Sequence, residues 1–372
     1  MRIHTTRHRF ATFVKRFRGR CAVFIALAST AMAAAGQATV ITASPSYEIT
    51  DSGLIGRALG AATDVRWIDN ERVVLIGAQA DRYVEPEAGR KERQFRLFIW
   101  QPKRRHLVQH LDADIAMGSL CVFKDYVRLE YSSDYRLSPE SKRVRVFEGT
   151  LGYEKVTPID AAALEARRSH AQAVNPYTCK EYDVRALPKL GVRVSPLLDG
   201  EYLSKDREPT SGEVVHWKFW PRQGNPVLLK ISPEVVGVAG YSRYLDSYIL
   251  GEGPRHVVFS DSVVRRSWLL DHAAKITDFT PPSGPWMRGS TTVTPTKRGM
   301  FLTSHAVDVR SNGAAGGYLL TDGRLLRIIA GLPVSFDVSP DGCGVVLSIY
   351  DKTESKVAIP RIKSIDICSR GR

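Results

Sequence analysis

The chain has 372 residues, 53 Lys and Arg against 39 Asp and Glu for a formal charge of +14, and is 43% hydrophobic. That apolar content and length exclude a disordered chain and permit one large domain or two smaller ones. The basic excess raises nucleic acid as a partner, and the chain order of its charges decides against it.

The first 20 residues carry Arg2, Arg7, Arg9, Lys15, Arg16, Arg18 and Arg20 and no acidic residue. Cys21 to Ala35 then reads CAVFIALASTAMAAA, a run too short to cross a hydrocarbon core that needs about 20 apolar residues. A basic stretch, a short apolar run and small residues at Ala33, Ala35, Gly36 and Ala38 predict a secretory signal peptide over residues 1–35, cleaved before Gly36 or Thr39. The competing reading is an uncleaved anchor. Cleavage would remove 7 basic residues and leave 46 against 39, halving the excess to +7. The rest is scattered over short clusters such as Lys103-Arg104-Arg105 and Lys142-Arg143-Val144-Arg145, which read as solvated strand ends. The expectation is a periplasmic or secreted, soluble protein with no transmembrane segment after cleavage and no nucleic-acid partner.

Four cysteines remain beyond the signal: Cys121, Cys179, Cys343 and Cys368. An even number in an oxidising compartment predicts disulfides, and no CxxC spacing competes for zinc or redox chemistry. Of three pairings, Cys121 with Cys179 and Cys343 with Cys368 each close a local unit.

From residue 39 onward, alternating apolar runs are broken by turn residues, which predicts strand, turn, strand. The instances start at Asp64, Gly118, Ser195, Ser242, Thr291 and Ser335, at intervals of 54, 77, 47, 49 and 44 residues. A second hairpin follows most of them, for example FRLFIWQPKRRHLVQHL and YLLTDGRLLRIIA. Two hairpins per unit make a four-stranded meander, and units of about 40 to 50 residues repeated radially predict an all-β propeller of about six blades over 39–372. Asp69-Asn70, Gly224-Asn225, Asp322-Gly323 and Pro340-Asp341-Gly342 supply the turns. The long interval holds TPIDAAALEARRSHAQAV, where Thr157, Pro158 and Asp160 suit a helix start; a helix over about 158–173 is expected, within an insertion at about 155–190. The last unit lacks a fourth strand, which Ala38–Thr50 can donate. A two-sheet sandwich, or two β domains, is the alternative.

The segment SFDVSPDGCGVVLSI, from Ser335 to Ile349, resembles the SPDG strand-turn-strand unit of WD40-like repeats in periplasmic TolB-type propellers and in the propellers of prolyl oligopeptidases. Only this unit matches well. The resemblance implies a propeller and carries over no functional residue.

Catalytic patterns are weak. A hydrolase elbow is approached only by Gly240-Tyr241-Ser242-Arg243-Tyr244, with Tyr in place of the second Gly. His106 and His110 fall on one strand face without further ligands, and Asp112 and Asp114 lack the glycine and the final carboxylate of a calcium loop. No catalytic residue, metal site or cofactor is therefore assigned. In HWKFWP, alternation puts Trp217 and Phe219 on one face and Lys218 and Trp220 on the other, so Lys218 and Trp220 are the candidate ligand contacts. The loop from Arg82 to Gln94 and the insertion are the candidates to decorate a channel mouth. These features favour a non-enzymatic binding or scaffold protein for an envelope protein or an anionic envelope component. The alternative is a channel-mouth enzyme such as a lyase, lactonase or glycan-active hydrolase.

Overall fold

The computed structural model describes residues 47–57, 64–79, 95–111, 115, 117–132, 144–150, 157–159, 172–174, 179–183, 194–196, 202–207, 214–221, 223–229, 244–248, 256–261, 266–270, 275–279, 290–305, 315–350 and 360–369. The proposed signal segment and the loop at 82–94 lie outside them.

The described chain is almost entirely strand. After β1 (Glu48–Ile55), one set comprises β2 (Val65–Trp67), β3 (Val73–Gln79), β4 (Arg96–Gln101) and β5 (His106–Leu111). A second comprises β6 (Met117–Phe123), β7 (Tyr126–Ser132), β8 (Val144–Thr150) and β9 (Thr157–Ile159), followed by the pair β10 (Gln172–Val174) and β11 (Glu181–Asp183). The third is β12 (Val194–Pro196), β13 (Tyr202–Arg207), β14 (Val214–Trp220) and β15 (Val227–Leu229). The fourth is β16 (Tyr244–Tyr248), β17 (His256–Asp261), β18 (Arg266–Leu270) and β19 (Ile276–Phe279). The fifth is β20 (Ser290–Thr296), β21 (Gly299–His305), β22 (Gly316–Thr321) and β23 (Arg324–Ala330). β24 (Leu332–Val338), β25 (Gly344–Tyr350) and β26 (Pro360–Asp366) end the chain's strands. Each set is an antiparallel meander in sequence order, and β1 completes the last as its fourth strand, beside β26. β1 also touches β3 through Leu54↔Gln79 and Ile55↔Ala78, joining the last set to the first.

Alternation explains why neighbouring sets hold together. In β3, Val73 and Leu75 pack toward β25 and β26, while Val74 and Ile76 pack with Leu120, Val127 and Leu129 of β6 and β7. In β25, Val346 joins the first of these clusters, and Val345, Leu347 and Ile349 join Phe301 and Leu319 of the preceding set. A strand buried on both faces reads as a continuous apolar run, which is why VVLIG and VVLSI are not polar on alternate positions. Each fully buried Val, Leu or Ile contributes roughly 1.5–3 kcal/mol. Four-stranded meanders packed face to face in chain order, with an N-terminal strand in the last one, are the architecture of a β-propeller.

Turn chemistry fixes the register. Thr321 pairs with Arg324, and the two residues between them, Asp322 (φ 49°) and Gly323 (φ 71°), both take the positive φ of a type I′ hairpin.

Three sequence expectations need correction. The helix over about 158–173 is not formed at its ends: Thr157, Pro158 and Ile159 pair with β8, and Gln172–Val174 pairs with β11, because strand pairing outcompetes the weak local cap; residues 160–171 lie outside the described residues. The donated N-terminal strand runs on to Ile55, past the expected end at Thr50, since Leu54 and Ile55 are the residues that reach the core; residues 38–46 lie outside the described residues. In the unit expected to start at Ser242 with strand, turn, strand, the first described strand is Tyr244–Tyr248 and its partner begins only at His256. The disulfides follow the expected pairing, Cys121–Cys179 with Cα atoms 5.6 Å apart and Cys343–Cys368 with 5.2 Å.

Candidate binding cleft between the first and last sheets

Two turns that punctuate the sequence 271 positions apart meet in space: the Asp341 N–H donates to Asn70 Oδ1 at 2.9 Å. Each turn is tied internally. Asp69 Oδ1 accepts the N–H groups of Glu71 (2.8 Å) and Arg72 (2.7 Å), and Arg72 Nε donates to Asp69 Oδ2 at 2.6 Å. In the SPDG turn, Asp341 Oδ1 accepts from Ser339 Oγ (2.6 Å) and Cys343 N (3.0 Å), and Ser339 Oγ accepts from Gly344 N (2.6 Å). These side-chain acceptors replace the ladder bonds a turn cannot make.

Beside them, Asp366 ends β26. Its Oδ1 accepts the N–H groups of Cys368 (3.0 Å) and Ser369 (2.9 Å), and Lys103 Nζ stands 3.3 Å from Oδ2. Burial alone would raise its pKa, but those two N–H groups and Lys103 outweigh burial and hold it below the usual carboxylate value. Asp69 is lowered in the same way, burial being overcome by the N–H of Glu71 and by Arg72. The Cys343–Cys368 disulfide ties this strand end to the SPDG turn, and Ile367 N donates to Cys343 O at 2.9 Å.

Between these pieces lies an open cleft lined by Glu48, Glu71, Trp67, Lys103, Asp341, Asp366 and their neighbours. It holds about 30 Å³ of water-sized space, enough for a side-chain tip and far below the several hundred Å³ of an enclosed small-molecule site. Trp67 is one of its lining residues: the backbone N–H donates to Asp337 Oδ2 at 2.7 Å, and Arg66 NH1 stands 3.4 Å from Asp337 Oδ1. Desolvation raises the Asp337 pKa against the pull of Arg66 and the Trp67 N–H.

Two other charged constructions sit elsewhere. Arg57 and Asp64, with side chains only 6% and 3% exposed, form a two-pronged ion pair, and Arg57 also donates to Gly118 O in β6 at 3.2 Å. Burial raises the Asp64 pKa, opposed by Arg57. Arg128, buried in β7, pairs with Glu130 at 3.0 Å and with Glu181 of β11 at 2.8 Å.

Lys218 and Trp220, the residues singled out in HWKFWP, are both half-buried on β14, and Phe219 between them is buried as alternation requires. They lie opposite Ser204 and Tyr202 of β13 and do not line the cleft. His106 is exposed and His110 half-buried on β5, and burial lowers the pKa of His110. Among the described residues no group of three or more His, Cys, Asp and Glu is placed to hold a metal, and no helix is long and apolar enough to cross a membrane. Sequence reasoning missed the cleft and the Arg57–Asp64 pair. The two turns of the cleft were visible as turns, but nothing in a single chain reports that they touch.

No protein-family model matches the chain, and no curated protein matches it. Solved structures similar to it are propellers. A catalytically inactive virginiamycin B lyase from Staphylococcus aureus, with quinupristin, is 11% identical, with 86% of this chain and 99% of that one covered and a TM-score of 0.44. The WD40 propeller domain of Doa1 is 10% identical over 86% and 97%, at 0.39. A putative gluconolactonase is 12% identical over 88% and 97%, at 0.34. Likeness at this level says nothing of activity. The chain is a β-propeller, and that assignment rests on its own strand order and face-to-face packing.

Proposed function

We propose that the chain is an exported, six-bladed propeller, cleaved before Gly36 or Thr39, that works in the periplasm or outside the cell by binding an envelope protein. The observation that carries this reading is how the cleft's carboxylates are employed. Oδ1 of Asp341 accepts from the Cys343 N–H and the Ser339 hydroxyl, and Oδ1 of Asp366 from two backbone N–H groups, so both carboxylates hold turns in shape and are poorly placed to move protons. A rigid, shallow, charged surface suits recognition of another chain, and two disulfides suit an oxidising compartment.

The test is affinity capture with the tagged, exported chain from envelope extract after brief cross-linking, alongside N-terminal sequencing of the exported form. The reading expects a reproducible protein partner and an N-terminus at Gly36 or Thr39. Absence of any specific partner, together with turnover of lactone, streptogramin or glycan substrates, would replace it with the enzyme reading.

A further inference from the structure

The cleft leaves one strong donor unused. Trp67 is 8% exposed, and its indole Nε1–H is buried without an acceptor, although the residue forms part of the cleft's lining. A buried donor without a partner calls for an explanation, and among the described residues Trp67 combines one with a place in the cleft's lining. Gly344 lies against the six-membered ring of the indole so closely that a Cβ there would stand 2.6 Å from Cζ2 and 2.9 Å from Cη2.

The charge of the cleft states what the rest of the ligand must be. Its lining carries four carboxylates, Glu48, Glu71, Asp341 and Asp366, against the cation Lys103, with Arg104 3.4 Å from Glu71 beside it, on a chain that keeps 46 basic against 39 acidic residues after the proposed cleavage. Such a local reversal attracts a cation. A metal ion or a polyamine would meet the carboxylates but offers no acceptor to an indole N–H. A lysine or arginine within an extended peptide offers both, a cationic tip and a backbone carbonyl a few ångströms away, and the cleft's free space admits one such tip.

Resting on the binding reading above, we infer that this cleft recognises a Lys- or Arg-containing segment of a partner protein, the side chain lying among Glu48, Glu71, Asp341 and Asp366 and a main-chain carbonyl accepting from Trp67 Nε1. The site thus selects a basic segment, although the chain as a whole is basic.

The experiment uses the exported chain with both disulfides intact and its six tryptophans labelled with nitrogen-15. The probes are acetyl-Gly-Lys-Gly-Gly-amide, the same peptide with Glu for Lys, spermidine and calcium. The Lys peptide is expected to shift one indole N–H signal saturably, the one that Trp67→Phe removes, while the Glu peptide does not. The double variant Glu48→Gln/Glu71→Gln, which spares the turn-holding carboxylates, is expected to weaken Lys-peptide binding by about three- to tenfold. If Trp67→Phe does not fold, this double variant, followed by calorimetry, still decides. An unmoved Trp67 signal, equal binding by the double variant, or an equal shift with spermidine or calcium overturns the inference. If the double variant still captures the envelope partner while the Lys peptide fails to bind, the cleft assignment falls and the binding function stands.

Discussion

Cys121 and Arg128 stand directly opposite each other on β6 and β7, and both grip the same short stretch of the insertion: Cys121 is bonded to Cys179, and Arg128 reaches Glu181 at 2.8 Å. One register position thus supplies a covalent and an ionic hold on the β10–β11 hairpin. A hairpin of two three-residue strands has almost no core of its own, so these holds fix where it lies.

Opening the Cys121–Cys179 bond by the double Ser variant is therefore expected to free the insertion first. In the chain-entropy model a 58-residue loop is worth about 4 kcal/mol and the 25-residue loop of Cys343–Cys368 about 3.5 kcal/mol. Hydrogen exchange should show lost protection over Gln172–Asp183 while β24 to β26 stay protected. Uniform loss across the chain would contradict the local role.

Asp64→Ala leaves the buried Arg57 guanidinium without its counter-charge, and the expected loss is about 3–5 kcal/mol in urea denaturation. Replacing both partners, Arg57→Met with Asp64→Leu, is expected to recover most of that loss, because the cost lies in one uncompensated charge. A double variant as unstable as Asp64→Ala would show that the bond of Arg57 to Gly118 O matters more than the pair.

The carboxylates give stability opposite pH slopes. Asp366 and Asp69 have folded pKa values below the ordinary one, so their contribution is full above the unfolded value near 3.8 and is lost as pH falls through the lowered folded value. Asp337 and Asp64 are raised, so theirs is full below the unfolded value and is lost as pH rises through the raised folded value. Denaturation midpoints measured between about pH 3 and 7 should show Asp366→Asn losing less stability on acidification than the parent. Asp337→Asn, which keeps an acceptor for the Trp67 N–H, should lose less on the way up. Parallel curves for all three proteins would refute this assignment of signs.

What the sequence disclosed and what it withheld divide along physical lines. The meander was legible because hairpins are local: alternation in FRLFIWQ and the Asp322-Gly323 turn each report on neighbours a few residues away. The disulfide pairing followed from four cysteines and short loops. The ends of the helix expected over about 158–173 were misread because Thr157 and Pro158 suit a helix start as well as a strand, and their pairing with Glu148 and Phe147 is a tertiary fact. The cleft was invisible for the same reason. Asn70 and Asp341 look like ordinary turn residues, and Trp67 like an ordinary core residue, until the last sheet is laid beside the first. Lys218 and Trp220 drew attention as a local cluster of aromatics, which is a weaker signal than convergence.

Gly344 tests how tightly that junction is built. Alanine there would drive its Cβ to 2.6 Å from Trp67 Cζ2, and overpacking of this kind costs about 1–3 kcal/mol. Gly323 is a control of the other kind: a Cβ there meets nothing within 4 Å, and the penalty comes only from φ at +71°, on the order of 1 kcal/mol. Gly344→Ala should therefore be the more destabilising, and it should be partly rescued by Trp67→Phe, whose smaller ring withdraws the atoms that clash. A double-mutant cycle measured by thermal or urea denaturation should give favourable coupling between positions 67 and 344 and none between 67 and 323. Additive losses at 67 and 344 would mean that the indole does not rest on the SPDG turn.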